Sequence, residues 1–553
     1  MEQPKGTMAA GFSAVFVLAL IVNVSATLWS SFRKIFVDNR VCKDGAAGDD
    51  ENNEARKLLE DERQKRAEIT KNYLPVYLLA VFSDWVKGPY AYEVYDCYNY
   101  NSREVYWLCS VLPFASSIVF GTFVCGPIAD NGIDLRCGGG RKQMAMAFAL
   151  VTIISNVVKH CRNFKASVVG SVLDGVSTSL LFTAFDSWLV RSYRCNGAKI
   201  SSTSSVSQAS LLQLSRALAT AEYRNNIVAI GAGYMAATVA EMNDVGPLVE
   251  TNNELELSTG GDNDFFYVGG VLNPFDLSSV ALLVCAISMH FLWNENYQIE
   301  NGRQNGPSSH QSHGTPEVDS STWWQRHRSS VAEAFATITN NKEQLYTGLV
   351  CSLFESAMFI FVFTWSNAIS SRMEGQQEIP YSLSFATFML GCMTGTCVYT
   401  VLITELKIKN EKIGKGSLFA ATFTFLGMIL AKSIFTSMVA FLLFELLVGV
   451  YFPMMGTMKA EIVTEKHRGT IYNFYRIPFN AMMIAFFYWS GDPSSYLSLY
   501  ADLSFAICAC MVGTAFLLQT KLCRCREAKT LNCPAKQSQE ILRDEAPLQK
   551  KMS

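Results

Sequence analysis

Hydrophobic residues along this chain gather into runs of about twenty, the length a helix needs to cross the hydrocarbon core of a bilayer. Such runs fall near 73–95, 105–129, 143–160, 166–190, 209–240, 275–294, 343–367, 381–404, 417–431, 434–456, 469–490 and 498–520. They predict an all-α membrane protein with twelve core spans, six on either side of a polar stretch at 295–342. An additional apolar run at 9–30 predicts an extra N-terminal hydrophobic helix. The chain therefore divides into an N-terminal helix (1–32), a charged linker (33–72), a first six-helix bundle (73–294), an interdomain loop (295–342), a second six-helix bundle (343–520) and a tail (521–553).

The polar segments carry their own expectations. Residues 33–72 hold ten basic and ten acidic side chains, the pattern of a solvated, partly helical linker. The stretch 295–342 contains Asn-Gly-Arg-Gln-Asn-Gly-Pro-Ser-Ser-His and lacks the apolar surface to fold alone, so it is expected to let two bundles rock. The tail, with alternating charge, is expected to be disordered. The span at 209–240 is long and polar at its start, which places its first residues at the interface.

Loop charge sets the orientation. With 33–72 in the cytosol, the loops on that side after it hold seventeen Lys and Arg, against five on the other: Arg103, Arg162, Lys165, Arg372 and Lys432. The outer loop 241–274 has seven acids and no basic residue. Both ends of the core are thus predicted to be cytosolic, in a multi-pass protein of the plasma membrane. Cleaving 9–30 as a signal peptide after Val24-Ser-Ala26 would invert the core against this bias, so a retained helix with an external N-terminus is preferred.

Composition agrees. Of 553 residues, 50% are hydrophobic and 17% charged; mean hydropathy is +0.16 and net charge −2, which leaves no basic field for nucleic acid. Six scattered histidines, no P-loop and no nucleophile–base pair on adjacent spans argue against an enzyme and imply no cofactor or metal. Most of the sixteen cysteines lie in apolar runs, where a thiol packs as a small hydrophobe. Cys523 and Cys525, just after the last span, are either palmitoylation sites or free cytosolic thiols.

What changes the picture is a set of ionisable residues inside apolar runs, where each costs about 2.5–3.5 kcal/mol on insertion scales. Asp186 precedes Arg216 by 30 residues, and Glu445 precedes Arg476 by 31. Between the halves the offsets are 259 (Asp186, Glu445), 260 (Arg216, Arg476) and 271 (Asp84, Glu355). This repetition predicts a duplicated transport unit, with Arg216 and Arg476 converging at the repeat interface. A guanidinium fork suits the oxygens of a tetrahedral oxyanion. Tyr90, Trp188 and Asn473 are candidate neutral contacts. The acids Asp84, Asp186, Glu355 and Glu445 have two open readings: they carry protons that offset the charge of an entering anion, or they pair with the arginines in the empty carrier.

Two motifs add a resemblance. Gly126-Pro-Ile-Ala-Asp130, a Gly-rich insertion and Gly140-Arg141-Lys142 resemble the Gly-x-x-x-Asp…Gly-Arg-Lys loop of the major facilitator superfamily. That implies Gly126, Asp130, Arg141 and Lys142 latch helix ends together, although the insertion Asn131 to Gly139 lengthens the usual spacing. More narrowly, Ser83-Asp84-Trp85…Gly88-Pro89-Tyr90, Leu181-Phe-Thr-Ala-Phe-Asp186-Ser-Trp188, Phe354-Glu355-Ser356, Phe444-Glu445, Trp293-Asn-Glu-Asn-Tyr297 and Asn473-Phe-Tyr-Arg476-Ile-Pro478 resemble the molybdate-anion transporter family, also known as major facilitator superfamily domain-containing protein 5-like proteins. The resemblance spans about residues 73–520 and implies molybdate uptake by alternating access. Alternatives in view are sulfate, another oxyanion or an organic acid as cargo, or a carrier-shaped sensor without flux.

Overall fold

The computed structural model describes residues 15–17, 19–25, 27, 50–131, 140–197, 204–247, 266–295, 323–372, 380–490 and 497–549. A short apolar helix α1 (Val15–Ser25) comes first. The first bundle is built from α2 (Asp50–Lys87), the short α3 (Ala91–Cys97), α4 (Ser102–Asp130), α5 (Arg141–Val158), α6 (Phe164–Gly197), α7 (Ser204–Ala240) and α8 (Asn273–Leu292). After α9 (Trp323–Asn340), the second bundle holds α10 (Lys342–Ser370), α11 (Tyr381–Thr404), α12 (Asn410–Leu430), α13 (Ile434–Ile462), α14 (Arg468–Ser490) and α15 (Leu497–Gln549). Eight of these helices are long and apolar enough to cross a membrane by length and composition. The more polar α2, α5, α7 and α14 pack among them and complete two sets of six.

Each bundle has its own apolar core. Tyr73, Phe148, Phe185 and Trp293 anchor the first, and Phe354, Phe361, Phe441 and Phe444 the second. Helices in lipid gain little from burying apolar area against each other and rely on close packing. Gly395 and Gly449 show how: a Cβ at either would collide with backbone of the partner helix, so α11 and α13 can touch only there as glycine. The middle of α4 departs from α-geometry, being wound as π-helix over Trp107–Val111 and Ser117–Cys125. Such widened turns recur at functional positions.

The boundaries differ from the sequence expectation in three places. α2 begins at Asp50, so half the charged linker is a continuation of the first span. Its Arg66 is buried and donates to Gln213 (3.1 Å), and Thr70 bonds Tyr193 (2.5 Å), which explains why this charged stretch is not merely solvated. The interdomain segment folds α9, whose Ala334 and Ile338 pack on Val463, Ile471, Tyr472 and Tyr475. Averaging composition over 295–342 hides that local helical period. α9 also ties the bundles together: His327 meets Phe123 O (3.0 Å) on α4, while Glu333 meets Lys466 (2.8 Å) and His467 (3.2 Å) before α14. Lastly, α15 runs to Gln549 where a disordered tail was expected. Its first residues past the span are held by Arg526 to Glu411 (2.6 Å) and Lys529 to Glu343 (2.5 Å).

α1 bridges both bundles. Asn23 Nδ2 donates to Thr394 Oγ1 (3.4 Å) on α11, and Thr27 Oγ1 bonds Tyr223 (3.1 Å) on α7. The Gly-rich insertion at 132–139, most of the acidic outer loop and residues 296–322 lie outside the described residues.

Candidate functional site

The site is built around α14. Its positions 473, 476 and 480 share one helical face, at i, i+3 and i+7. Arg476 is buried, 8% exposed, with its guanidinium 4.2 Å from the Phe182 ring of the first bundle and 4.9 Å from Phe479. Its Nε has no hydrogen-bond partner. The acid that acts on it electrostatically is Glu355 on α10, whose Oε1 accepts from Cys351 Sγ (2.9 Å) and Tyr451 OH (3.4 Å). A guanidinium sandwiched between rings gains cation–π attraction yet keeps its donors in plane for another group.

A second cation stands near the same acid. Lys459 on α13 interacts electrostatically with Asp186 and Glu355 and lies 5.0 Å over the Tyr472 ring. Asp186 comes from the first bundle, so two cations and two carboxylates from both halves form one coupled group. By run length alone Lys459 falls after the span 434–456, among the seventeen basic residues of the loops on the cytosolic side. α13 in fact carries it inside the helix, past Pro453.

Beside Arg476, the π-wound part of α4 meets α14 and α6 through small polar groups. Asn480 Nδ2 donates to Ser117 Oγ (3.0 Å), and Ser117 pairs with Ser179 (2.8 Å). Asn473 Nδ2 donates to Gly469 O (3.1 Å) while its Oδ1 stays unpartnered. A Cβ on Gly121 would sit 2.8 Å from that oxygen, so only glycine lets the helices close here. Thr122 and Thr183 hydroxyls are buried and unpartnered in the same layer.

At the end of the bundle that holds Asp130, the two halves are pinned together. Asp130 Oδ1 accepts from Gly469 N (2.8 Å), and Oδ2 from Thr470 N (2.8 Å) and Thr470 Oγ1 (2.9 Å). A carboxylate on the exposed N–H groups of a helix start meets both hydrogen-bonding and dipole needs. Arg141 lies 3.8 Å from Asp130 and donates to Glu465 (2.7 Å). Glu465 also receives Arg468 (3.0 Å), Arg194 (3.8 Å) and Arg191 (3.9 Å). Burial pushes its carboxyl up, but Arg468, Arg141 and Arg194 prevail and hold it below the usual glutamate range. Gly126 lets the backbones approach: its Cβ would fall 2.7 Å from Thr470 Cα.

Other sequence candidates lie elsewhere. Arg216 is exposed on α7, so it does not join Arg476 in a buried pair. Repeat offsets fix a position along a helix but not the face it presents. Asp84 is exposed and lies 3.8 Å from Lys87. Tyr90 occupies the turn after α2, packing on Val86, Ala232 and Ala236. Trp188 stacks on Trp293 (4.1 Å) and gives its indole N–H to Asn294 O (3.0 Å), which leaves no donor for an oxyanion. Glu445 is buried and accepts from Cys392 Sγ (3.0 Å). Lys142 caps α8 through Trp293 O (2.6 Å) and stays within the first bundle. Cys523 is buried, with its Sγ on Glu411 O (3.3 Å), which does not suit acylation. Glu222 on α7, overlooked in the sequence, bonds Asn225 and Asn226 and acts electrostatically on Asp186.

Comparison with known proteins agrees with this architecture. Residues 52–257 and 317–444 match the family model MFS_5, described as sugar transporters with 12 TM. The chain is 25% identical to a "Molybdate-anion transporter" of Takifugu rubripes over 420 residues, covering 74% of this chain and 77% of the relative. A Danio rerio protein of the same name gives 25% over 421 residues, with the same coverage. Among solved structures, the human organic anion transporter MFSD10 (TETRAN) aligns with TM-score 0.51 at 12% identity, over 82% of this chain and 99% of that one. The transporter FucP in the outward conformation aligns with TM-score 0.51 at 11% identity, over 82% and 98%. These two likenesses speak to the fold. With more than half its length matched and its helices arranged six and six, the chain belongs to the MFS_5 family of the major facilitator superfamily, as a membrane transporter and not an enzyme.

Proposed function

We propose that this protein carries molybdate, a tetrahedral dianion, across a membrane by alternating access, with Arg476 as its principal contact. The observation that carries the reading is a buried guanidinium with an unpartnered Nε, facing the other bundle at a polar seam. The name shared by the curated relatives supplies the cargo. Asn473 stands one turn before Arg476, and Lys459 takes the place of the second cation that Arg216 does not fill.

The acids then have a role in charge balance. Moving a dianion into a cell against about 100 mV costs roughly 4.6 kcal/mol, at about 2.3 per charge. Protonating Asp186 and Glu355 leaves Arg476 and Lys459 as a net +2 that matches molybdate, so two protons travelling with the anion cancel the cost. Asp130, Arg141, Gly126 and Glu465 form the latch that shuts one side. The excess of Lys and Arg in the loops supports a cytosolic position for that side and for both ends of the core, and the plasma membrane is the membrane we propose.

The test is molybdate uptake by purified protein in liposomes, read by mass spectrometry under an imposed pH gradient. Wild type accumulates molybdate faster with acid outside, and Arg476→Ala falls to background at unchanged abundance. Full accumulation by Arg476→Ala removes the site; uptake indifferent to pH and to uncouplers removes the protons. Sulfate in excess measures how far the same cluster serves a second tetrahedral oxyanion.

A further inference from the structure

A groove of about 700 Å³ opens between the start of α12 and the far part of α15, lined by none of the residues assigned to the site above. Its rim carries Lys412, Lys415 and Arg524, and its wall is Phe419 and Phe516, whose rings lie 5.4 Å apart. Phe419 is 50% exposed, so the apolar wall faces outward from the bundle. Gly416 leaves the floor open, since a Cβ there meets nothing within 4 Å.

The three cations are uncommitted. The neighbouring acids Glu411 and Glu461 are taken by Arg526, and Glu343 by Lys529. Lys412, Lys415 and Arg524 make no ion pair among the described residues, and Glu527 is the one acid lining the groove. Arg526, two residues beyond Arg524, reaches Glu461 at the end of α13, so the groove lies at the Asp130 end of the bundle. Cations at a helix end, above aromatic rings that face lipid, match the two layers of a phospholipid: charged headgroup, then acyl chain.

We infer that this groove binds the phosphate headgroup of an anionic phospholipid in the leaflet at the Asp130 end, with Lys412, Lys415 and Arg524 on the headgroup and Phe419 and Phe516 along the first acyl carbons. A free phosphate would satisfy the cations but would leave the rings without a partner.

The test uses full-length protein incorporated into nanodiscs of equal phosphatidylserine and phosphatidylcholine, with native mass spectrometry of the lipids it retains. Wild type should hold the anionic lipid in clear excess, and each cation removed should reduce that excess roughly fivefold. The triple variant K412Q/K415Q/R524Q should show no preference. Gly416→Leu, which fills the floor without altering charge, should lose the lipid while keeping its elution volume and melting temperature. Equal retention of both lipids by wild type, or an unchanged excess in both variants, overturns the assignment. Displacement of the lipid by inorganic phosphate as readily as by soluble short-chain phosphatidylserine overturns the lipid in favour of a free anion.

Discussion

The Asp130 end and the middle of the membrane treat charge in opposite ways. At the end, one carboxylate receives three hydrogen bonds from the start of α14, and Glu465 is approached by four arginines. In the middle, Arg476 has an unpartnered Nε and rests on rings, while Asn473 Oδ1 and the Thr122 and Thr183 hydroxyls go unmatched. Unsatisfied buried polar groups cost about 1–3 kcal/mol each. The Nε atoms of Arg141 and Arg191 also lack partners at the end, but there each guanidinium is paired with Glu465, whereas no ion pair within 4 Å holds Arg476 among the described residues. Such a fold holds its halves together at one end and keeps hydrogen-bonding capacity in the centre. That is the division of labour expected of a gate and a binding site.

The sharpest way to break the comparison is to exchange the two losses. Asp130→Ala should strip the start of α14 of its acceptor, and charge-assisted bonds of this kind are worth about 1.5–3 kcal/mol. The closed arrangement should lose roughly a hundredfold in population relative to the open one. A cysteine placed at Ala129, 2% exposed in this structure, should then react with an impermeant maleimide far faster than in the Asp130-containing parent. Anion binding should survive. Arg476→Ala should do the reverse, keeping the Ala129 position protected while binding disappears. Equal protection in both variants would show that the two regions are not separable.

Much of this architecture was legible in the sequence because hydropathy and loop charge report directly on the membrane. Twelve spans and the interruption between them follow from run length alone, and Arg476 stands out because an arginine in an apolar run demands a reason. What escaped depends on facing and on contact across the fold. Arg216 has the right offset from Arg476, but a helix turns its residues through every direction, and this one is exposed. Lys459 hid in a segment taken for loop. Asp130 and Arg141 meet across a nine-residue insertion, Asn131 to Gly139, that made their geometry unreadable by spacing. α9 was invisible to composition because its apolar stripe is diluted by the polar residues before it.

A milder disturbance of the same end leaves every charge in place. Gly126→Val adds branched carbon where a Cβ would already stand 2.7 Å from Thr470 Cα. Overpacking of that kind costs about 1–3 kcal/mol, and here it falls between the halves and not inside either core. The Ala129 cysteine should label roughly tenfold faster, with thermal stability of the bundles little changed. If labelling stays slow and the protein instead unfolds earlier, Gly126 serves packing within the fold and not closure.

The smallest effect should come from acid. Arg468, Arg141 and Arg194 hold Glu465 below the ordinary glutamate value of about 4.3, so the charged form is favoured in the folded, closed protein. A group with a depressed folded value contributes stability that is complete above its unfolded value and is lost as pH falls through the folded one. Closure should therefore be insensitive to pH from neutrality down to about 4.3 and weaken only below it, first in the contacts to Arg194 and Arg191, which are already 3.8 and 3.9 Å long. Maleimide labelling of the Ala129 cysteine is too slow in acid, so limited pepsin cleavage between α13 and α14 is the better readout. Wild type should become susceptible only as pH drops under that value, whereas Glu465→Gln should be cleaved at a rate that no longer depends on the titration. A wild-type transition well above that value would instead take the weak point of the gate away from Glu465 and its four arginines.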